Sequence, residues 1–204
     1  MPIFTKDGTS PVFYVHVPKT GGSYVERLFR TNGYAIHLRL TTPRRKGLVV
    51  SPQHYHRALY EQLVYIDDFK CRFMTVRHPV KRLVSAFMMR ESDNDRFPAW
   101  LRLVEKRLAK NPYAYDNHMR PQVAFHHPSL AVFRQEEGLG EDWARALAER
   151  YRLPMTVLEV PRTLDKSTKR EPLSGRHMDL AVRFCRKAFA EDFEAFGYPH
   201  TPPD

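Results

Sequence analysis

One set of residues has the types and spacing of a phosphate-binding loop, namely Pro18, Lys19, Thr20, Gly21, Gly22 and Ser23. An apolar run at residues 12–17 precedes it and predicts a buried strand, and a helical pattern follows at 23–30. Two glycines permit backbone geometry that side chains forbid, and a helix N-terminus attracts anions through its free N–H groups and its dipole. The loop therefore predicts a cradle for a phosphate or phosphosulfate. The alternative is an ordinary turn with a solvated lysine.

A second set of residues follows the strand predicted at 72–76. Arg77 stands at the end of this strand, and Ser85 lies about two turns into the next helix, whose first turn suits Pro79. The planar fork of an arginine pairs with two phosphate oxygens, and a hydroxyl could grip the same phosphate from another direction. Two such sites after two strands predict a nucleotide that carries phosphates at two separate places. The first loop is not a Walker A motif, because Lys19 precedes the glycines.

Two histidines, His54 and His56, lie between these loops, after a short apolar run at 48–50 that predicts another buried strand. Side chains two residues apart in an extended segment point to the same face, so both rings could line one cleft. A neutral imidazole there could accept a proton from a substrate hydroxyl. The alternative is that one ring caps a helix or orients the loop. No Cys/His spacing typical of zinc sites occurs, and we predict no metal.

The elements that must position these residues alternate between strand and helix. Further strands are predicted at 130–133 and 155–160, with a possible one at 34–40, and further helices at 57–64, 98–110, 142–151 and 178–196. Residues 111–130 read as a long irregular crossing. This order predicts an α/β fold with a mostly parallel central sheet flanked by helices on both faces. One domain would span residues 1–204, with loose termini at 1–10 and 199–204.

Composition places the chain among globular proteins. It has 204 residues, of which 42% are hydrophobic and 27% charged, and a net charge of +10, which favours anionic partners. No apolar run approaches the roughly 18 residues that span a bilayer, and the N-terminus lacks the layout of a signal peptide. Cys71 and Cys185 indicate buried thiols rather than a disulfide framework. We expect a cytoplasmic protein without a membrane span, of open oligomeric state.

The two loops resemble those of a known family. Residues 18–23 resemble the 5′-phosphosulfate loop of sulfotransferases, and residues 77–87 resemble their 3′-phosphate motif. The sequence of these motifs most resembles that of the Golgi carbohydrate sulfotransferases and their bacterial relatives, the sulfotransferase family 2 group. The resemblance extends over residues 13–198. The resemblance implies a P-loop-like three-layer fold in a bacterial protein. It also implies the donor 3′-phosphoadenosine 5′-phosphosulfate (PAPS), with 3′-phosphoadenosine 5′-phosphate (PAP) as product, and a hydroxyl or amine acceptor, either a carbohydrate or a small molecule.

The resemblance also implies roles for individual residues. Lys19 would stabilise charge on the leaving phosphate, backbone N–H groups of residues 20–23 would hold the 5′-phosphate, and Arg77 with Ser85 would hold the 3′-phosphate. The His-x-His pair resembles that of heparan sulfate 2-O-sulfotransferases, which favours His56 as the base and His54 as its helper. Tyr55 stands where those enzymes have glycine.

Two further segments have roles only by this resemblance. His118, Arg120 and Gln122 resemble a His-x-Arg-Pro-Gln segment that would line the acceptor or cofactor cleft; a hydrogen-bonded scaffold is the alternative. Lys169 and Arg170 lie where related enzymes carry a loop over the nucleotide, and they would contact the cofactor.

Other functions compete with sulfuryl transfer. A kinase or other phosphoryl transferase would need an acidic magnesium ligand after a strand, and Asp67-Asp68 follows a predicted helix instead. A basic nucleic-acid-binding module would explain the charge but not the two ordered loops, and the sequence has no interleaved basic and aromatic platform. A nucleotide-binding protein without activity is the third alternative; Lys19 and His56 weigh against it.

Overall fold

The computed structural model describes residues 1–39, 47–161 and 171–201. Five strands lie in these parts of the chain: β1 Ile3–Thr5, β2 Val12–Val15, β3 Ala35–His37, β4 Cys71–Val76 and β5 Ala131–Arg134. Seven α-helices lie there too: α1 Gly22–Thr31, α2 Arg57–Tyr60, α3 Pro79–Arg90, α4 Phe97–Lys110, α5 Glu141–Tyr151, α6 Gly175–Ala188 and α7 Ala190–Ala195.

The described strands form one mixed sheet in the order β3-β1-β2-β4-β5. Strand β4 pairs in parallel with both β2 and β5, with Tyr14 opposite Phe73 and Met74 opposite Val132. Strand β1 is antiparallel to its neighbours β2 and β3. Because β2, β4 and β5 run the same way, their carboxyl ends meet at one edge of the sheet, where ligands bind in open α/β sheets.

Helices cover both faces of this sheet, as predicted. Successive residues of β2 belong to different cores, since Tyr14 packs with Phe29 of α1 and Leu147 of α5, whereas Phe13 lies in the cluster that includes residues of α3, α4, α6 and α7. This alternation is the period of a strand buried on both faces. Cys71 and Cys185 are buried free thiols within these cores, as predicted.

Two predicted strands are wrong. Residues 48–50 are irregular and bent, and Val49 is 47% exposed. Residues 155–160 are irregular. There the side chain of Asn32 replaces a neighbouring strand: its Oδ1 accepts from the N–H groups of Thr156 and Val157 at 2.8 and 3.0 Å, and its Nδ2 donates to the Val157 carbonyl at 2.7 Å. An apolar run does not reveal which partner satisfies its backbone.

The prediction of loose termini is also wrong for the described residues. Strand β1 lies inside the sheet, and Met1 is fully buried, with its amino group donating to the Pro52 carbonyl at 2.6 Å. At the other end, His78 Nε2 donates to the Pro199 carbonyl at 2.9 Å. Residues 202–204 lie outside the described part of the chain.

The helix predicted at 178–196 is two helices, α6 and α7, because the backbone breaks at Phe189. The helix predicted at 57–64 ends at Tyr60. Among the residues that the structure describes, no helix combines the length and apolar character needed to cross a bilayer.

Candidate active site

The phosphate-loop candidate lies where β2 passes into α1. Gly21 occupies the N-cap position with φ 95° and ψ 8°, and Lys19 also has a positive φ, 70°. The N–H groups of Tyr24 and Val25 donate to the Gly21 carbonyl at 2.9 and 3.3 Å. The N–H groups of Gly22 and Ser23, which directly precede these two residues, therefore belong to the open end of the helix. Ser23 is an exposed first-turn residue rather than the cap.

The side chain of Thr20 anchors this loop to the sheet. Its hydroxyl donates to the Val17 carbonyl at 2.8 Å and lies 2.8 Å from Thr75 Oγ1, which itself lies 2.7 Å from the Tyr14 hydroxyl. Thr20 is fully buried and Pro18 is buried as well. The side chain of Thr20 therefore has a structural role in the loop.

The ring of His16 leaves no room for a side chain at position 22, where the chain has glycine. A Cβ atom at Gly22 would lie 2.2 Å from His16 Nε2, so no side chain fits there. His16 Nδ1 donates to Glu26 Oε1 at 2.8 Å, and Glu26 Oε2 accepts from Arg39 Nε at 2.6 Å. Burial lowers the pKa of His16 to about 4, although the bond to Glu26 opposes this shift. A neutral imidazole thus backs the cradle at neutral pH.

Arg77 lies beside this cradle, because β2 and β4 are neighbours. Its Nη1 donates to the Lys19 carbonyl at 3.4 Å. Its backbone is held by Gln122, whose Oε1 accepts from the Arg77 N–H at 2.9 Å and whose Nε2 donates to the Arg77 carbonyl at 2.8 Å. Gln122 is fully buried, so it fits the scaffold alternative rather than direct contact with a substrate.

Ser85 lies on α3, and its residue is 9% exposed. Arg82, one turn earlier on α3, is buried. Its guanidinium contacts the irregular segment 111–130, where it donates to the carbonyls of His118 and Arg120 at 3.1 and 2.8 Å. Helix α3 thus fixes the segment that holds His118, and Arg82 has a structural task.

The segment after β5 contacts both loops, which the sequence did not indicate. Glu136 Oε1 accepts from the His78 N–H at 2.8 Å, and Leu139 Cδ1 lies 2.6 Å from where a Gly21 Cβ would stand. The same segment borders a hollow of about 440 Å³ that is lined by Phe133, Arg134, Glu137, Gly138, Gly140, Glu141, Asp142 and Trp143. The segment after β5 therefore supports both loops on one side and lines this hollow on the other.

His54 ends a short 3-10 turn, Pro52–His54, and is paired with an acid. Its Nδ1 lies 2.8 Å from Asp116 Oδ2. Ser51 donates its backbone N–H to Asp116 Oδ1 at 2.7 Å and its hydroxyl to Oδ2. Burial would raise the pKa of Asp116, but the hydrogen bonds from His54 and Ser51 outweigh it and hold this pKa below its ordinary value. Asp116 is therefore a carboxylate at neutral pH.

His56 stands at the N-cap position of α2, without a side-chain cap bond. Its Nδ1 lies 3.5 Å from Asn117 Nδ2, which also donates to the His54 carbonyl at 2.9 Å. Arg120 Nε donates to Asn117 Oδ1 at 2.9 Å. Burial, followed by the charge of Arg120, lowers the pKa of His56 to about 4. His56 is therefore neutral at physiological pH.

Three histidine rings adjoin one another beside the cradle. The His54 ring centroid lies 5.2 Å from that of His16 and 4.9 Å from that of His118, with edge-on geometry in both cases. His118 Nδ1 donates to the Tyr115 carbonyl at 2.8 Å, and burial lowers the pKa of His118 well below its ordinary value. The predicted site residues His54 and His118 are thus in contact, with His16 as a member that the sequence did not single out.

Residues 115–117 contact both candidate bases, His54 and His56, and have an unusual backbone. Tyr115, Asp116 and Asn117 have φ values of 61°, 56° and 61°, although none is glycine. Left-handed geometry costs about 1 kcal/mol or more per residue and often accompanies a functional constraint. The carboxylate and the amide that meet His54 and His56 come from this strained run.

His54, Asp116 and His118 are also close enough to be considered as metal ligands, since their ligand atoms lie within 4.8 Å of one another. The separation of 2.8 Å between His54 Nδ1 and Asp116 Oδ2 is that of a hydrogen bond. Two ligand atoms of a tetrahedral zinc ion stand about 3.3 Å apart. The geometry is therefore that of a hydrogen-bonded pair.

The remaining cofactor candidates, Lys169 and Arg170, lie outside the described residues. The rest of the predicted set lies in three places: on the loops and helices that follow β2 and β4, on the segment before α2 that carries His54 and His56, and on the crossing between α4 and β5.

Comparison with known proteins gave a match to one family. The model of the sulfotransferase family matches residues 2–199, nearly the whole chain. The comparisons with curated proteins and with solved structures returned no match.

Proposed function

The chain belongs to the sulfotransferase family, and we propose that it transfers the sulfuryl group of PAPS to a hydroxyl or amine acceptor. The observation that carries this proposal is the adjacency of two anion-binding loops at the ends of neighbouring parallel strands, with Arg77 Nη1 3.4 Å from the Lys19 carbonyl. A donor with a 5′-phosphosulfate and a 3′-phosphate needs two such groups of contacts.

The chemistry of the residues fits this donor. The first loop offers the N–H groups of Gly22 and Ser23 at the start of a ten-residue helix, and Lys19 stands two residues before the N-cap Gly21. Backbone N–H groups near left-handed residues such as Lys19 and Gly21 form concave anion sites. The second loop adds the guanidinium of Arg77. A P-loop-like three-layer arrangement belongs to the same proposal, which the strand-loop-helix order and the helices on both sheet faces support.

Each residue then has a task in an in-line transfer. PAPS supplies an activated sulfate whose leaving group is a phosphate. Lys19 stabilises the charge that develops on the leaving oxygen, and residues 20–23 hold the 5′-phosphate through their N–H groups. Arg77 and Ser85 hold the 3′-phosphate. Positioning and charge stabilisation account for most of the catalysis, as in phosphoryl transfer.

A histidine, His54 or His56, takes the proton of a hydroxyl acceptor. His118 and Arg120 lie next to these histidines and are proposed to contact the acceptor, a carbohydrate or a small molecule. Gln122 acts on the site through the Arg77 backbone. Lys169 and Arg170 are proposed as further nucleotide contacts.

Transfer of labelled sulfate tests the proposal. Purified protein is given PAPS labelled in the sulfate, with a panel of sugars, phenols, amines and cell extract as acceptors, and labelled products are separated. We expect PAPS-dependent labelling, lowered about 10²- to 10³-fold by Lys19→Ala because a charge-stabilising group is lost. Lys70→Ala, an exposed lysine at the other end of β4, is the matched control. Labelling that is independent of Lys19 would contradict its role.

A further inference from the structure

We infer that Asp116 is a positioning residue that makes His54, rather than His56, the general base of the active site. The inference rests on the proposed function for its chemistry, but its geometry is independent of it. Resemblance to the family favours His56, and Asp116 belongs to none of the motifs that carry the resemblance. The hydrogen bonds around the two rings favour the other assignment.

The pairing with Asp116 determines which nitrogen of His54 carries the proton. Asp116 is a carboxylate and can only accept, so His54 Nδ1 must be protonated to make the 2.8 Å bond. In the neutral ring, Nε2 then carries the lone pair. The same logic operates where an acid orients the imidazole of a serine protease.

Ser51 fixes the carboxylate in turn. Its backbone N–H can only donate, and it donates to Asp116 Oδ1 at 2.7 Å. Its hydroxyl donates to Oδ2, the oxygen that faces His54. Each oxygen of Asp116 therefore has a fixed partner, and the carboxylate cannot turn away without losing a bond to the backbone.

The surroundings of His56 place its proton on the other nitrogen. Arg120 Nε can only donate, and its bond to Asn117 Oδ1 identifies the opposite atom, Nδ2, as the donor that faces His56 Nδ1. His56 Nδ1 therefore accepts, and the proton of the neutral ring lies on Nε2. A ring in this form donates a hydrogen bond at Nε2 and has no lone pair there to take a proton.

The neighbours of the two rings agree with this division. His54 adjoins His16, which packs against Gly22 of the cradle, so His54 lies one ring away from the phosphate loop. His56 adjoins Tyr113 and Phe125, at 6.0 and 6.3 Å between ring centroids. The left-handed run at 115–117 brings Asp116 to the first histidine and Asn117 to the second.

In the transfer step, the acceptor oxygen forms a bond to sulfur while its proton passes to His54 Nε2. The bond between sulfur and the bridging oxygen of the donor breaks, and its electron pair stays on that oxygen, beside Lys19. The imidazolium that forms is stabilised by the Asp116 carboxylate.

Asp116→Asn tests the inference, because Ser51 determines how an asparagine would sit. The Ser51 N–H keeps an oxygen at the Oδ1 position, so the amide NH₂ faces His54 Nδ1 and forces the proton onto Nε2. We expect kcat to fall about 10²- to 10⁴-fold, with KM for PAPS and the affinity for PAP changed less than about threefold. Asp67→Asn, an exposed acid at the other end of β4, is the control.

Comparison of variants separates the two histidines. His54→Ala should lower kcat as much as Asp116→Asn does, and the double variant should be no slower than either, since the two residues act as one unit. His56→Ala should cost less. A greater loss in His56→Ala than in His54→Ala, or an unchanged kcat in Asp116→Asn, would overturn the inference.

A measurement on the unmodified protein tests the tautomers without turnover. Nitrogen-15 NMR of labelled histidine distinguishes the two neutral tautomers at neutral pH. We expect the signals of His54, assigned from the His54→Ala spectrum, to show the Nδ1–H form and those of His56 the Nε2–H form. An Nε2–H form of His54 would overturn the geometry. If these tautomers are found but no sulfate transfer is detected, the failure belongs to the proposed function and not to the positioning by Asp116.

Discussion

Gly22 shows how one residue joins the cradle to the histidines behind it. The sequence singled out two glycines for backbone freedom, and this reason holds for Gly21, with its φ of 95°. At Gly22 the reason is space, because His16 Nε2 stands 2.2 Å from where a Cβ would be. A small residue in the loop is thus matched to a large buried ring three residues upstream of the lysine.

Gly22→Ala should therefore damage folding and binding together. Overpacking of this kind costs about 1–3 kcal/mol, and displacement of the loop should weaken PAP binding at least about tenfold. Denaturant unfolding and calorimetry measure the two effects. Adding His16→Ala should restore part of both, and Gly175→Ala, where a Cβ meets no atom within 4 Å, should change neither. Equal effects of Gly22→Ala with and without His16 would contradict the steric explanation.

Single residues also mark the limit of prediction from sequence. Lys19, Gly21 and Arg77 follow strands in a local pattern, so their place at one sheet edge could be predicted. Asp116 is 62 residues from its partner His54, and its neighbours Tyr115 and Asn117 form no recognisable motif. Only the fold brings the acid to the ring, so the pair could not be found from the sequence.

At the scale of elements, whether a strand was predicted correctly depended on which groups pair with its backbone N–H and C=O groups. The strands β2 and β4 and the helices after them were predicted because apolar runs and loop residues agree. Strand β1 has three residues, too few for a pattern, yet it lies inside the sheet between β3 and β2. The apolar run at 155–160 failed as a strand because Asn32 supplies its partners. A local sequence pattern cannot show that a polar side chain at the end of a distant helix will pair with this segment.

The whole molecule combines a net charge of +10 with several buried, uncharged histidines. In the folded protein burial lowers the pKa of both His16 and His56 to about 4, from an ordinary value of 6.5. Below about pH 6.5, these two histidines are protonated in the unfolded chain but stay neutral in the folded one. The stability that these groups contribute is therefore complete above about pH 6.5 and is lost as the pH falls towards about 4.

We predict acid destabilisation in this window, on the order of 2 kcal/mol per histidine at about pH 4.5 relative to about pH 7. Urea unfolding at the two pH values measures it. His16→Asn removes one of the two groups, so the difference between the pH values should shrink in that variant, although Glu26, which accepts from His16, contributes in both. A stability that stays constant or rises on acidification would show that these rings are not held neutral.

The central claim, a donor site with separate contacts for a 5′- and a 3′-phosphate, is tested most directly by calorimetric titration with PAP, AMP and ATP. We predict that PAP binds at least about tenfold more tightly than AMP, because each charged hydrogen-bonded contact contributes about 1.5–3 kcal/mol. Arg77→Ala should abolish this preference while leaving AMP binding nearly intact. Tight binding of ATP with no response to PAP, or equal weakening of PAP and AMP by Arg77→Ala, would contradict the account.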